Sequence, residues 1–390
     1  AVTMAAESAA TIFALAIGAA GSVSGSGSGN AIGISGAGSA SVNKIRVNTQ
    51  ARARKGSQLT TSQPDAAISL SADDDSSIKA VAGAAALSIS VSQNTSVAAG
   101  LGFSLTINNI ANTIRAALED STITAGGPVT VSATSNAGID SLAFGISVGV
   151  ALSGNASAIA ANCTGALSYN EIDNLVEATV CNTTGTAQLS AGGRLSVTAS
   201  DDSIIRAIAT AASASVSGST TAASVSVAIG LALAHNRIDK DVSASLVNLP
   251  GVLTHGQSIV VSATDASEID AVTFAAAVSV SLSLTNPTVG IAGGSSASTN
   301  IILSRTNAFI ENCAVGSDSD KVGDLDIDAA STAKIHAVIG AVAAAFALGN
   351  TGASVAVGIA VARNFIGLDP NGPGIVPDHD STGQVGTMVD

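Results

Sequence analysis

The sequence carries little charge and almost no aromatic residues. Charged side chains make up 11% of its 390 residues, where about 25% is usual, aromatic residues make up 2%, and Trp is absent. Several large mixed cores are therefore excluded, because aromatic side chains normally supply much of their buried area. Disorder is excluded as well, since apolar residues still reach 46%, largely Ala and Val, beside 40 Gly. The composition is typical of thin, closely spaced layers of small side chains, which favours a structural protein over an enzyme.

Basic residues are also scarce, with 15 Lys and Arg against 28 Asp and Glu and a net charge of −13. A nucleic-acid-binding protein needs a basic face. The one basic cluster consists of Arg46, Arg52, Arg54 and Lys55, lacks aromatic residues, and is typical of a solvated loop. We therefore predict no nucleic-acid partner.

Cysteine and long apolar runs are nearly missing too. Cys163, Cys181 and Cys313 form no CxxC motif, so neither a zinc site nor a disulfide framework is indicated, and a Cys163–Cys181 pair stays as the alternative. Sparse cysteine is compatible with export. The longest uncharged stretch, Ala337 to Ala362, is interrupted by a Gly-Asn-Thr-Gly turn, and each half is too short to cross a membrane. The chain is not predicted to span one.

What the sequence does have is an internal repeat of about 64 residues, carried by two separate anchors. One anchor is Asn-x-Ile, and the other is an Ala followed six residues later by Ile. The repeated asparagines are Asn43, Asn108, Asn170, Asn236, Asn300 and Asn364. The repeated isoleucines are Ile12, Ile78, Ile139, Ile205, Ile269 and Ile335. We expect the asparagines to lie on one line and to hydrogen-bond along the array, with ligand or partner contact as the alternative.

Each repeat contains two arms of about 14 residues on either side of a Gly-, Asn- or Ser-rich turn. The arms alternate with period two, so that in the second repeat Val81, Leu87 and Ile89 share one face while Ala and Ser fill the other. Helix is the competing interpretation because Ala favours it, but the interleaved Val, Ser, Thr and Gly favour strands. Strands of this length would reach roughly 45 Å.

Shorter alternating segments such as Ile68 to Ala72 and Val129 to Ala133 follow the second arm in each repeat. The fold class predicted is therefore all-β, an elongated β-solenoid-like array with two long Ala/Val/Ser/Gly-rich strands plus shorter strands per repeat. Residues 1–390 form one continuous array. Its approximate repeats are 6–71, 72–132, 133–198, 199–262, 263–328 and an incomplete 329–390.

The strings Thr124 to Ala133 and Val361 to Gly367 resemble repeats of giant secreted bacterial exoproteins. These are large adhesins similar in style to filamentous haemagglutinin and are expected to be β-helical. The resemblance implies display on a cell surface, adhesion or a filamentous coat, and it carries over no functional residue. Coils of the haemagglutinin type are much shorter than this repeat, which leaves the number of coils per repeat open.

No reactive constellation is visible in the sequence. The acidic run of Asp318, Asp320, Asp324, Asp326 and Asp328 lacks the order and the final Glu of an EF-hand loop, so a solvated turn is favoured and calcium is the minor alternative. The same holds for Asp73–Asp75. The histidines, which are His235, His255, His336 and His379, fall in different repeats and do not converge. We predict no catalytic, cofactor-binding or metal site and no cofactor.

The function predicted is that of a structural segment of a giant secreted bacterial surface protein, extracellular or at the cell surface. It would form a stiff stalk, filament or adhesin by stacking β-repeats. The alternative is a self-assembling sheath or fibre subunit, in which the small-residue faces of different chains interlock. Because the terminal segments lack polar caps, we expect self-association or contact with flanking repeats of a longer chain.

Overall fold

The structure is a computed structural model that describes residues 1–183, 185, 188–370 and the backbone of 387–389. All the regular secondary structure in this part of the chain is β-strand. The strands, numbered in chain order, are β1 (Val2–Ser8), β2 (Thr11–Ser26), β3 (Ala31–Ile45), β4 (Asn48–Ala53), β5 (Gln58–Thr60), β6 (Ile68–Asp74), β7 (Ser77–Ser92), β8 (Ser96–Ile110), β9 (Thr113–Glu119), β10 (Thr122–Ala125), β11 (Val129–Ser135), β12 (Gly138–Ser153), β13 (Ala158–Cys181), β14 (Leu189–Ala191), β15 (Leu195–Asp201), β16 (Ile204–Ser219), β17 (Ser224–Val247), β18 (Val252–Leu253), β19 (Ile259–Asp265), β20 (Glu268–Ser283), β21 (Thr288–Glu311), β22 (Leu325–Ser331), β23 (Lys334–Leu348), β24 (Gly352–Ile366) and β25 (Thr387–Val389).

The strands form four parallel sheets. Sheet A has the order β1-β6-β11-β15-β19-β22, and sheet B has the order β2-β7-β12-β16-β20-β23. Sheet C runs β3-β8-β13-β17-β21-β24, with β4, β9 and β25 continuing it, and the short sheet D is β5-β10-β14-β18. We use rung for the strands at one level of the stack, for example β6 to β10. The prediction of an all-β, β-solenoid-like arrangement is confirmed at this level.

Chain direction alternates between the sheets through short turns whose residues suit the required backbone. Sheet B strands end at Ser- and Gly-rich turns and lead into sheet C. Sheet C strands are followed by residues with positive φ, namely Asp120, Asn248 and Asn312. Asn and Asp adopt this left-handed conformation more readily than other side-chain-bearing residues, so the chain turns at the same place in several rungs.

An ordinary aliphatic core fills one half of the cross-section. Sheets A and D and the second half of sheet C enclose Ile68, Leu70, Ile114, Leu118 and further Val, Leu and Ile residues, which are fully or nearly fully buried. Each fully buried Leu, Ile or Val stabilises the fold by about 1.5–3 kcal/mol relative to exposure. This half of each rung therefore carries the larger share of the hydrophobic stabilisation.

The two sequence anchors meet at the junction of the halves. The repeated isoleucines pair in register along sheet B, for example Ile78 with Ile139 and Ile139 with Ile205. They pack in one buried cluster with the isoleucines of the Asn-x-Ile segments, such as Ile110 and Ile172. Two separate sequence signals thus describe the two sides of one column of isoleucine contacts.

The other half of the cross-section is a sandwich of sheet B on the first half of sheet C, filled by small residues. The Ser88 hydroxyl donates to the carbonyl of Gly33 in the facing sheet at 2.7 Å, and Ser279 donates to that of Ser226 at 2.8 Å. A Cβ added at Gly294 would lie 2.6 Å from the carbonyl oxygen of Val342. The facing backbones lie within reach of one serine side chain, well inside the roughly 10 Å that separates ordinary stacked sheets.

The stack is wider than it is tall. Six rungs at about 4.8 Å span about 29 Å along the stacking axis, whereas a 16-residue strand reaches about 53 Å across it. The uncharged stretch Ala337 to Ala362 is a pair of strands, β23 and β24, around its predicted turn. No helix in the described ranges is long and apolar enough to cross a membrane.

Candidate functional site

The repeated asparagines form a continuous ladder inside the stack. Each side-chain Nδ2 donates to the Oδ1 of the asparagine in the next rung at 2.8 Å, and the partners are 62 to 66 residues apart in the chain. Asn108, Asn170, Asn236 and Asn300 are fully buried. Their amides are occupied by one another, so the ladder holds neighbouring rungs in register. It presents no amide group on the outer surface over these four rungs.

A second interior column is ionic and was not predicted from the sequence. Lys240 is completely buried on β17, and its Nζ lies 2.7 Å from Oδ1 of Asp201 on β15 and 2.7 Å from Oδ1 of Asp265 on β19. The ammonium also donates to the Asp201 carbonyl at 3.1 Å. One lysine therefore joins two rungs of sheet A through two buried carboxylates.

Serine hydroxyl groups also hydrogen-bond to a carboxylate of this column. Ser267 and Ser331 donate to the two carboxylate oxygens of Asp265. Burial by itself would raise the pKa of Asp265, but the Lys240 ammonium and these hydroxyl groups outweigh burial, and the pKa lies below its usual value. The carboxylate is consequently ionised at neutral pH, and the cluster is a compact set of opposite charges.

Asparagine replaces the lysine in the neighbouring rungs. Asn112 donates to Asp74 at 2.7 Å, and Asn174 donates to Asp201 at 3.2 Å and to Ser135 at 3.1 Å. These residues lie four positions after the repeated asparagine, as Lys240 does, and the Asp or Ser partners lie two positions after the anchor alanine. That double spacing is the signal by which the column could have been recognised.

The outer face of sheet B is the largest candidate surface. On all six strands the outward positions aligned with 15 to 25 of β2 carry aliphatic residues, Phe, Ala or Gly, with Thr210 as the exception. Side chains such as Leu152 and Leu282 are about two-fifths exposed. Because monomeric proteins rarely expose an apolar patch above a few hundred Å², a surface of this extent indicates an interaction.

Phenylalanines lie flat over glycines of the adjacent strand. Phe274 covers Gly340, where an added Cβ would be 2.7 Å from the ring, and Phe144 covers Gly83 in the same way. On sheet C, Phe103 covers Gly165, with the corresponding distance 2.6 Å. The large rings therefore fill the gaps left by glycine, and the apolar faces keep an even height.

One edge of the sheet B face carries a row of alternating charge. Lys79, Asp140, Arg206, Asp270 and His336 occupy the same outward position on successive strands. Arg206 lies 3.6 Å from Asp140, and His336 lies 3.7 Å from Asp270. Lys79, Asp140, Arg206 and Asp270 thus alternate in charge along the stacking axis, and His336 follows at the end of the row.

The outer face of sheet C is apolar over a narrower band. On the strand next to β8, the position aligned with Ile107 is Tyr169, whose ring stacks on that of His235 with centroids 4.8 Å apart. Burial, followed by the adjacent Arg237, lowers the pKa of His235, so the imidazole is neutral at physiological pH. Asp173 lies further along the strand, and burial together with Asp239 raises its pKa.

The remaining sequence candidates are dispersed. His255 lies in a turn with its Nδ1 2.7 Å from Asp320, His336 is on sheet B, and His379 lies outside the described residues. Cys163, Cys181 and Cys313 are free thiols. The alternative Cys163–Cys181 pairing is wrong because both residues lie on β13, an extended strand that separates them by roughly 60 Å.

The acidic segments contain no metal centre among the residues that the structure describes. Within these ranges no group of three or more His, Cys, Asp or Glu side chains is placed to hold a metal ion. Asp320 is engaged by His255, and Asp74 is engaged by Asn112 and Ser76. Asp320 and Asp74 are therefore held by contacts within the chain.

Comparison with protein-family descriptions, with curated proteins and with solved structures found no match to this chain. The parallel β architecture is compatible with the β-helical fold that the resemblance to filamentous-haemagglutinin-type adhesins implies, and adhesion at a cell surface stays a prediction.

Proposed function

We propose that this chain is a structural repeat segment of an extracellular or cell-surface protein, in which stacked β-rungs form a stiff stalk or filament. The observation that carries the proposal is the in-register column of side chains along the stack, in which the asparagine ladder and the isoleucine column repeat in every rung. Such a stack is stabilised by contacts between neighbours, so added repeats would lengthen the array without changing its cross-section. About 64 residues per rung would complete one turn of the solenoid.

Stiffness follows from the width of the rung. A rod resists bending more strongly as its cross-section widens, and this cross-section reaches about 79 Å along the 24-residue strands of sheet C. It is also filled on both sides of the junction, by aliphatic residues in one half and by alanine and hydrogen-bonded serine residues in the other. Shorter coils would build a stack of the same length from fewer residues. The wide rung therefore favours a role that needs stiffness and a broad outer face.

The broad apolar faces favour lateral assembly, the second candidate function. The small-residue faces are buried against each other inside the chain, which leaves the larger Val, Leu, Ile and Phe side chains on the outside. A sheath or fibre built from this chain would consequently associate through the outer faces, rather than through the small-residue faces that the sequence suggested.

A deletion experiment tests the stacking. Ile139 and Ile205 occupy equivalent positions in adjacent rungs, so deletion of residues 139–204 removes one rung and keeps every later strand in register. We expect this variant to fold with a thermal midpoint within a few degrees of the parent, and its dimension along the stacking axis, the short axis of the molecule, to be about 5 Å smaller in the shape derived from X-ray scattering.

Deletion of residues 139–170 is the matched control, because it removes part of a rung and destroys the alignment of the strands. We expect this control to lose cooperative unfolding. Equal losses in the two deletions would contradict a stack of interchangeable rungs. Immunogold labelling of thin sections of the source cells would then test the location, and labelling confined to the cell interior would exclude a surface stalk.

A further inference from the structure

We propose that two copies of this chain pair face to face through the outer surface of sheet B, with their stacking axes antiparallel. This pairing names a partner for the proposed structural array and rests on that function. The two-fold axis would lie in the interface along the strand direction, so that a strand of one copy lies over a strand of the other with the rung order reversed. Three observations carry the proposal.

The first observation is the extent of the apolar surface. Six outward positions per strand cover about 36 Å, and six strands cover about 29 Å, which gives roughly 1,000 Å² on each copy. A stable protein interface buries about 800 Å² per partner. The face is therefore large enough for a specific dimer, and its flattened Phe-over-Gly pairs allow two such faces to meet without large gaps.

The second observation is the alternating charge row at the edge of this face. Reversal of the rung order places Lys79 of one copy opposite Asp270 of the other and Asp140 opposite Arg206. The two-fold axis produces each of these pairs twice. In the next row outward, Glu268 falls opposite Ser77, again without a like-charged pair. The antiparallel arrangement is thus self-complementary in charge along its length.

The third observation is that the competing arrangements meet an electrostatic cost. A two-fold axis along the stacking direction would place the charged row of one copy on the apolar row that contains Leu152 and Leu282. Antiparallel pairing through sheet C would place Asp173 opposite Asp239 of the second copy. Within one chain, burial and the neighbouring Asp239 and Glu171 already raise the pKa of Asp173, so a further carboxylate would add to this repulsion. Like charges directly opposed are destabilising. Sheet B is therefore the favoured face.

Sedimentation equilibrium of the whole chain tests the pairing. We expect a dimer in the micromolar range that V148D, at the centre of the sheet B face, converts to a monomer. L231D places the same charge at a similarly half-buried outward position on sheet C, and we expect it to leave the dimer intact. Circular dichroism of both variants verifies that they are folded. If wild type stays monomeric at 100 µM, the pairing is wrong, although the stacking within one chain would stand.

Charge reversal tests the register. R206D brings a carboxylate opposite Asp140 of the second copy, and D140R brings two guanidinium groups together. We expect each change to raise the dimer dissociation constant at least tenfold, and the double variant D140R/R206D to return it to within about threefold of wild type. Additive weakening in the double variant would overturn the antiparallel register.

Zero-length cross-linking gives an independent readout. Lys79 and Asp270 lie three rungs apart within one chain, which is about 14 Å, but would be in contact across the dimer. Carbodiimide treatment should yield a Lys79–Asp270 link only in the dimer fraction. Binding of the monomer to neutral phosphatidylcholine vesicles, with no dimer and no such link, would instead identify the face as a lipid-binding surface and refute the proposal.

Discussion

Replacement of Lys240 by methionine should destabilise the centre of the stack by about 3–5 kcal/mol at pH 7, the cost of removing one partner of a buried ion pair. Methionine keeps the length and the apolar stem of the lysine but removes the ammonium that lies 2.7 Å from Asp201 and from Asp265. Two buried carboxylates would remain without their cation. Solvent screening does not reduce this cost, because all three side chains are fully buried.

Local hydrogen exchange is the appropriate assay, because unfolding of a repeat array need not be a single two-state transition. At 1.4 kcal/mol per factor of ten, the expected loss of amide protection in β15, β17 and β19 is about 100- to 4,000-fold. Lys44→Met is the control, since Lys44 is an exposed lysine on sheet C, and it should change protection less than threefold. A change below about fivefold in the K240M protein would refute the ionic role of the column.

The pH dependence of the effect separates charge from packing. In the wild type, the folded pKa of Asp265 lies below its unfolded value, so its stabilisation is present above about pH 4 and is lost as pH falls through the folded pKa. Without Lys240, burial is the dominant influence and raises this pKa, so the variant gains stability on acidification towards pH 4. The difference in stability between the wild type and K240M should narrow as pH falls. A stability difference that stays constant from pH 7 to pH 4 would indicate an effect of packing instead.

A rescue variant uses the arrangement of an earlier rung. Asn112 donates to Asp74 of its own rung, and the aligned position of the next rung is Ser135. The double change K240N/D265S recreates this order, with Asp201 in the same rung and serine in the next. We expect it to recover most of the amide protection lost in K240M, because it removes one buried carboxylate together with the buried ammonium.

Three further outcomes are expected. N170A removes the acceptor of the buried Asn108 Nδ2 and the donor to the buried Asn236 Oδ1 and should cost about 2–4 kcal/mol, whereas N364A, at an exposed position with one ladder bond, should cost less than half as much in thermal melting. G294A inserts a methyl group against the facing backbone and should cost about 1–3 kcal/mol, whereas G293A adds a methyl group on the outer face, in ordinary contact 4.0 Å from Ile229, and should be neutral within 0.5 kcal/mol; equal midpoints in denaturant would contradict the close sheet packing. Because the folded pKa of His235 is lowered by burial, wild type should lose stability as pH falls from about 6.5 through that pKa, and H235F should lose less over the same range in melting experiments.

The repeat pattern predicted a large part of the fold. Period-two alternation indicated the strands, and the two anchors indicated which residues would align, because parallel neighbours in register place equivalent residues side by side. The turn between β23 and β24 was likewise visible in its Gly and Asn residues. These features depend on local geometry and on spacing, and both can be read from one chain.

The orientation of the faces and the ionic column could not be read in the same way. Alternation distinguishes two faces of an arm without showing which of them is buried. The small face lies inside because two sheets approach within reach of Ser88 or Ser279 only where both lack large side chains. Lys240 is flanked on β17 by charged residues that face outward, Asp239 and Asp241, so its inward position became evident only from its alignment with Asn174.

The direction of the backbone hydrogen bonds determines how the stack would respond to a pulling force. In parallel sheets these bonds lie along the stacking axis, so tension applied along that axis acts on them directly. Detachment of one rung shortens the stack by about 4.8 Å but releases about 64 residues, which can extend to about 210 Å. A loaded array would therefore lengthen in large discrete steps while its remaining rungs stay folded, so the same molecule would be rigid under small loads and extensible under large ones.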